Sequence, residues 1–97
     1  MFVWINSQAV RSDQGFEVES MGRFTIEYRE GAKKLSVYVE NGREGGRPCV
    51  IVMDPRAFER WDGDPPEAIN PLEKQQEMLK HFMEALEFQG LGVVVNR

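Results

Sequence analysis

The chain has a single cysteine, Cys49, and a single histidine, His81. One cysteine excludes an internal disulfide, a cysteine-ligated zinc ribbon and an iron–sulfur cluster. One histidine excludes a multi-histidine metal site. The longest uninterrupted apolar runs, residues 1–5 and 49–53, are five residues each, whereas a bilayer-spanning helix needs about 20. No basic segment leads into a long apolar core at the start, and polar residues begin at Asn6. A secretory leader is therefore not expected. Together these absences lead us to expect a protein of the reducing cytoplasm.

A basic stripe is also missing. The net charge is −4. Residues 1–53 hold seven acids and seven bases, and residues 74–97 hold three of each. The excess lies in residues 54–73, which hold six acids (Asp54, Glu59, Asp62, Asp64, Glu67, Glu73) against two bases, Arg56 and Arg60. Phosphate neutralisation supplies most nucleic-acid affinity, so nucleic acid is not an expected partner. A basic protein surface suits this charge better.

What is present is enough for one domain, residues 1–97, with a modest core. A chain of 97 residues buries about 60–65% of the surface that it exposes when unfolded. Residues 2–5 and 16–20 read as short strands. Residues 23–29 alternate, with Phe24, Ile26 and Tyr28 on one side; residues 34–40 alternate, with Leu35, Val37 and Val39 inward. The short Gly31-containing link between these runs predicts a hairpin. Residues 41–48 (NGREGGRP) read as a polar, Gly-rich connection, and 49–53 as a covered strand that Asp54-Pro55 ends. Residues 56–60 suit one helical turn, and the two prolines of 61–68 (WDGDPPEA) predict an exposed loop.

A helix start follows, with Asn70 as the cap, Pro71 in the first turn and Glu73 at the third position. Leu72, Gln75, Leu79, Phe82, Met83 and Leu86 form the inward stripe, and Gly90 stops the helix. Residues 91–95 form a last strand that returns to the sheet. The expected fold is α+β: a mostly antiparallel sheet of about five or six strands, one long C-terminal helix on one face, and a closing strand.

Candidate chemistry is sparse. His81 has Glu77 and Glu84 within reach on a helix, a pattern open to general base work. The plainer reading is a half-exposed histidine at the edge of the apolar stripe. Cys49 begins an apolar strand and reads as a buried thiol. Asp62-Gly63-Asp64 resembles the start of a calcium loop, with Glu73 at position twelve, but the prolines and the glycine position break that pattern. Gly31, Gly42, Gly45 and Gly46 precede no Gly-Lys-Ser/Thr, so they make no phosphate loop. No catalytic residue, metal or cofactor is expected.

Trp61 is the open question. Tryptophan is enriched at interface hot spots, and Asp62, Asp64 and Glu67 beside it suit a basic partner. Equally, Trp61 can fold back beside Phe58 and close the core.

Residues 50–53 (VIVM), the Trp61-Asp62-Gly63-Asp64-Pro65-Pro66 loop, the helix ending EALEFQG and the closing Val93-Val94-Val95 resemble the immunity protein 74 family, small immunity proteins of bacterial polymorphic toxin systems. The preceding hairpin fits as well, and the likeness covers about three quarters of the chain. It implies a non-enzymatic cytoplasmic protein that binds and blocks a cognate toxin domain. A basic nuclease is the kind of toxin whose groove an acidic Trp61, Asp62, Asp64 and Glu67 loop would plug. The alternative is a small adaptor or subunit of a larger complex, using exposed strand edges.

Overall fold

A computed structural model describes residues 1–54 and 56–95 of the chain. Pro55, expected to help end a strand, lies outside the described residues. The element order is β1 (Phe2–Asn6), β2 (Ala9–Ser12), β3 (Phe16–Ser20), β4 (Thr25–Glu30), β5 (Lys33–Glu44), β6 (Arg47–Val52), a 3-10 turn (Ala57–Glu59), β7 (Arg60–Trp61), β8 (Glu67–Ala68), α1 (Leu72–Phe88) and β9 (Gly92–Val95). The α+β class, the mostly antiparallel sheet, the C-terminal helix and the returning last strand are all present. The sheet has seven strands, in the order β1-β2-β3-β4-β5-β6-β9, where five or six were expected.

The extra strand is β2. It has four residues, two of them polar, so its alternation is too short to read. Pairing supplies what the pattern lacks: Val10 stands between Trp4 and Val18 and sits on the core side. The strand β5 is also longer than expected. Residues 33–38 pair with β4 and residues 39–44 with β6, so β5 joins two wings of the sheet. Its tail, Asn41 to Glu44, holds no apolar side chain and is extended by backbone pairing alone. The turn is confined to Gly45 and Gly46, both at positive φ (59° and 78°), the geometry that a two-residue hairpin turn requires.

Six strands run as an antiparallel meander; β9 then joins β6 in parallel after α1 has crossed one sheet face. The helix buries Met78, His81, Phe82, Ala85 and Leu86, an i, i+3, i+4, i+7, i+8 set. This face is rotated from the expected stripe. Phe82 and Leu86 are common to both, but Leu72 is 61% exposed. The reason is that apolar residues surround much of this helix, and the sheet selects which of them to cover. His81 is 8% exposed, not half-exposed at the edge of the stripe. Nor does Asn70 cap the helix. Pro71 occupies the cap position and makes no side-chain cap, and the freed Ile69 carbonyl accepts a bond from the Gln75 side-chain amide (2.9 Å).

Among the described residues, no helix lies over the second sheet face. Its centre is a ladder of charge: Arg29 donates to Glu17, Glu19 and Glu27 at 2.8–3.0 Å, and Arg11 donates to Glu17 at 2.9 Å. These bonds hold the Glu17 carboxyl below its ordinary range, the bond to Arg29 contributing most. No helix among the described residues is long and apolar enough to cross a membrane.

Candidate interaction surface around Trp61

The site is built from the segment between β6 and α1. Asp54 opens it by accepting the Arg56 amide on its side chain (2.9 Å) and the Ala57 amide on its carbonyl (3.1 Å). This forms the single helical turn expected here. Phe58 enters the core, edge-on to Phe82 (5.4 Å between centroids) and to Tyr28 (6.1 Å). The chain then extends beside the first half of β5, where the Asp62 amide donates to the Lys34 carbonyl at 2.8 Å.

Residues 61–68 are more ordered than an exposed loop. β7 pairs with β8, Arg60 opposite Ala68 and Trp61 opposite Glu67. The Ile69 amide bonds the Glu59 carbonyl (2.9 Å), and Ile69 is buried. Two backbone anchors and two buried side chains thus hold the Asp62 to Pro66 tip on a fixed base.

Trp61 is 7% exposed and stacks on Tyr28 with centroids 6.3 Å apart and planes at 28°. Of its two readings, the folded-back one describes the placement. The indole belongs to the same core cluster as Phe58, and only its edge lines a surface groove. It is therefore not an exposed anchor, because an anchor must bury its ring in a partner.

The three acids lie on one short surface segment. Asp62, Asp64 and Glu67 are all exposed. Asp62 accepts a bond from the Ser36 hydroxyl (3.1 Å), and Glu67 pairs with Lys33 (2.8 Å). Both partners of the latter pair are more than half exposed, so it contributes about 0–1 kcal/mol and can yield to a competing cation. The ion pairs of this region among the described residues join Lys33 to Glu67, Arg56 to Glu59 and Lys74 to Glu30; they leave Asp62 and Asp64 unneutralised.

The groove lies between the β4–β5 turn and residues 67–71. Its volume is about 490 Å³, and Trp61, Glu30, Lys33, Glu67, Asn70 and Lys74 line it. Behind it runs a polar chain that pattern reading missed. Lys74 donates to one Glu30 oxygen (2.7 Å) and the Tyr28 hydroxyl to the other (2.7 Å). His81 Nδ1 lies 3.4 Å from that hydroxyl, and its ring stacks on Phe16 at 4.4 Å. Burial, and then the bond to Glu30, push the Tyr28 hydroxyl pKa far above its ordinary value. The phenol is thus held as a neutral donor inside the core. The partners lie 53 and 44 residues apart in the chain, so no local spacing could show them.

Glu77 reaches His81 Nε2 at 3.7 Å, whereas Glu84 lies on the exposed side of the helix. Cys49 is buried, as its apolar strand implied. Among the described residues, no group of three or more His, Cys, Asp or Glu side chains is placed to hold a metal ion. Comparison with family models, curated proteins and solved structures finds no match to this chain.

Proposed function

We propose that this chain is a non-enzymatic immunity protein that binds and neutralises a cognate bacterial toxin domain. In this reading it works in the cytoplasm and makes contact through the acidic tip of residues 62–67. The observation that carries it is the fixed, unneutralised pair Asp62 and Asp64, with Glu67 beside them, on a loop braced by buried Trp61 and Ile69. A braced loop loses little conformational freedom on docking, and like charges set on it attract a basic groove over distance. A basic nuclease is the favoured target class, because its groove must attract phosphate and will attract carboxylates equally. The resemblance of the run from Val50 to the end, with the hairpin before it, to the immunity protein 74 family supports the same role. Trp61 acts here as the support of the loop.

The test starts by capturing the toxin from a lysate of the protein's own source cells. The expected capture is the C-terminal part of a large secreted protein, toxic when expressed alone and harmless when co-expressed with this chain. The double variant Asp62→Lys, Asp64→Lys should slow association about tenfold at low salt and flatten its salt dependence, with folding unchanged. Toxicity that persists on co-expression refutes the immunity role. Unchanged association in the variant refutes the acidic tip. Capture of a constitutive complex instead would establish the adaptor reading, which the open outer edge of β1 favours.

A further inference from the structure

β1 ends the sheet, and among the described residues no strand pairs with its outer edge. Open edges are ordinarily guarded by lysine, proline or short length. Its five residues, FVWIN, carry no charge and no proline, and the one irregularity lies at the far end, between Trp4 and Asn6. Val3 is 54% exposed, Trp4 50% and Ile5 40%. On the helix side the apolar surface continues from Trp4 to Phe88, 5.9 Å between ring centroids and 44% exposed.

The backbone phase is defined. The Asp13 amide bonds the Met1 carbonyl, so Met1 and Val3 turn their polar groups toward β2. Alternation then points the N–H and C=O groups of Phe2 and Trp4 outward. A strand that pairs with this edge must offer the same spacing and no charge.

We infer that the outer edge of β1 pairs antiparallel with β1 of a second copy of this chain, about a two-fold axis through Val3. Phe2 of each copy then exchanges both backbone bonds with Trp4 of the other, and Val3 faces Val3 in a close, non-bonded pair. The strand supplies its own complement: aromatic beside aromatic on the helix side, β-branched beside β-branched on the open face. Registers centred on Phe2 or Trp4 use the bonding groups less fully; the Trp4 register also meets the irregularity between Trp4 and Asn6.

Charge favours this occupant. The molecule is acidic, but its excess charge lies in residues 54–73, whose β7 abuts β5. Four strand spacings, about 19 Å, separate β5 from β1. In the pair, nine strand spacings, about 43 Å, separate the two acidic regions, several times the ~8 Å screening length at physiological salt. The nearest open-face charges are already paired, the Met1 ammonium with Asp13 and Arg11 with Glu17. The acidic tip stays free on each copy, so this inference is independent of the proposed function.

Sedimentation equilibrium of the full chain over a concentration series should show mass rising from 11.2 kDa toward twice that value. Val3→Lys places two like charges opposite each other and should hold the chain monomeric, while Val3→Thr should still dimerise. Val3→Cys should cross-link to a disulfide dimer on mild oxidation, because facing Cα atoms in such a pair lie about 4.5 Å apart. Ile5→Cys, about 14 Å from its own mate in this register, should not. The buried Cys49 of the wild-type chain serves as the control for background oxidation. A chain that stays monomeric throughout the series, with no Val3→Cys cross-link, overturns the inference. So does a dimer that survives Val3→Lys in a folded protein, or one that cross-links equally through Ile5→Cys.

Discussion

Replacing Trp61 by alanine should cost this protein much of its stability, and the amount follows from the packing. The side chain is 7% exposed and stacked on Tyr28. A buried indole removes about 150–250 Å² from water, which at ~25 cal/mol per Å² is about 4–6 kcal/mol. Measured truncations of buried aromatics to alanine cost about 3–5 kcal/mol. A domain of this size has only about 5–15 kcal/mol in all. At roughly 4–8 °C per kcal/mol, Tm should fall by on the order of 12–40 °C. Urea and thermal unfolding followed by circular dichroism measure the loss. A Trp4→Phe background isolates Trp61 fluorescence, which should be blue-shifted in the native state and move to the red on unfolding. A loss below about 1 kcal/mol, or native emission typical of a wet indole, would refute the core assignment and return Trp61 to the interface. The result also decides how binding must be probed. A Trp61→Ala protein that loses its partner has lost its folded loop first, whereas Asp62→Lys and Asp64→Lys alter only exposed side chains and should change stability by about 0.5 kcal/mol or less each.

Tyr28→Phe removes the 2.7 Å bond to Glu30 and should cost about 1.5–3 kcal/mol at pH 7. Burial, and then Glu30, raise the Tyr28 pKa above its ordinary 10.0, so the wild-type contribution is present below pH 10 and lost as pH rises beyond it. The variant should therefore lose less stability above pH 10; identical alkaline slopes in urea midpoints would count against the buried-phenol account. Arg29→Met leaves the carboxylates of Glu17, Glu19 and Glu27 without their shared donor and should cost about 1–3 kcal/mol at pH 7. The folded pKa of Glu17 lies below its ordinary 4.5, through Arg29 first and Arg11 second. Its contribution is thus present above pH 4.5 and lost as pH falls through the lowered value. Wild type should lose more stability between pH 7 and pH 3 than Arg29→Met does, and equal losses would show that the ladder carries no linkage.

Most of the architecture was legible because it rests on local rules. The alternation of Phe24 to Tyr28 and Leu35 to Val39 marked the central hairpin, and Asn70 to Gly90 contained the one helix with its stop. The localisation of excess acid in residues 54–73 is a property of composition alone, and no fold could alter it. What stayed hidden depends on neighbours brought from elsewhere in the chain. β2 and the tail of β5 are strands because adjacent strands satisfy their backbones, not because their side chains alternate. The inward face of α1 was settled by the sheet, which had apolar residues on two sides of the helix to choose from and took Met78, His81 and Ala85 over Leu72.

The fate of Trp61 was likewise undetermined by its own segment. A tryptophan beside acids and prolines serves equally as a surface anchor or as a core plug, and the space beside Tyr28 decided for the plug. The chain from Lys74 through Glu30 and Tyr28 to His81 joins residues far apart in sequence, and burial gives its bonds their strength. Sequence by itself thus determined the fold class and where the charge lies. Tertiary structure alone decided which residues face water, because burial belongs to contacts between segments and to no segment by itself.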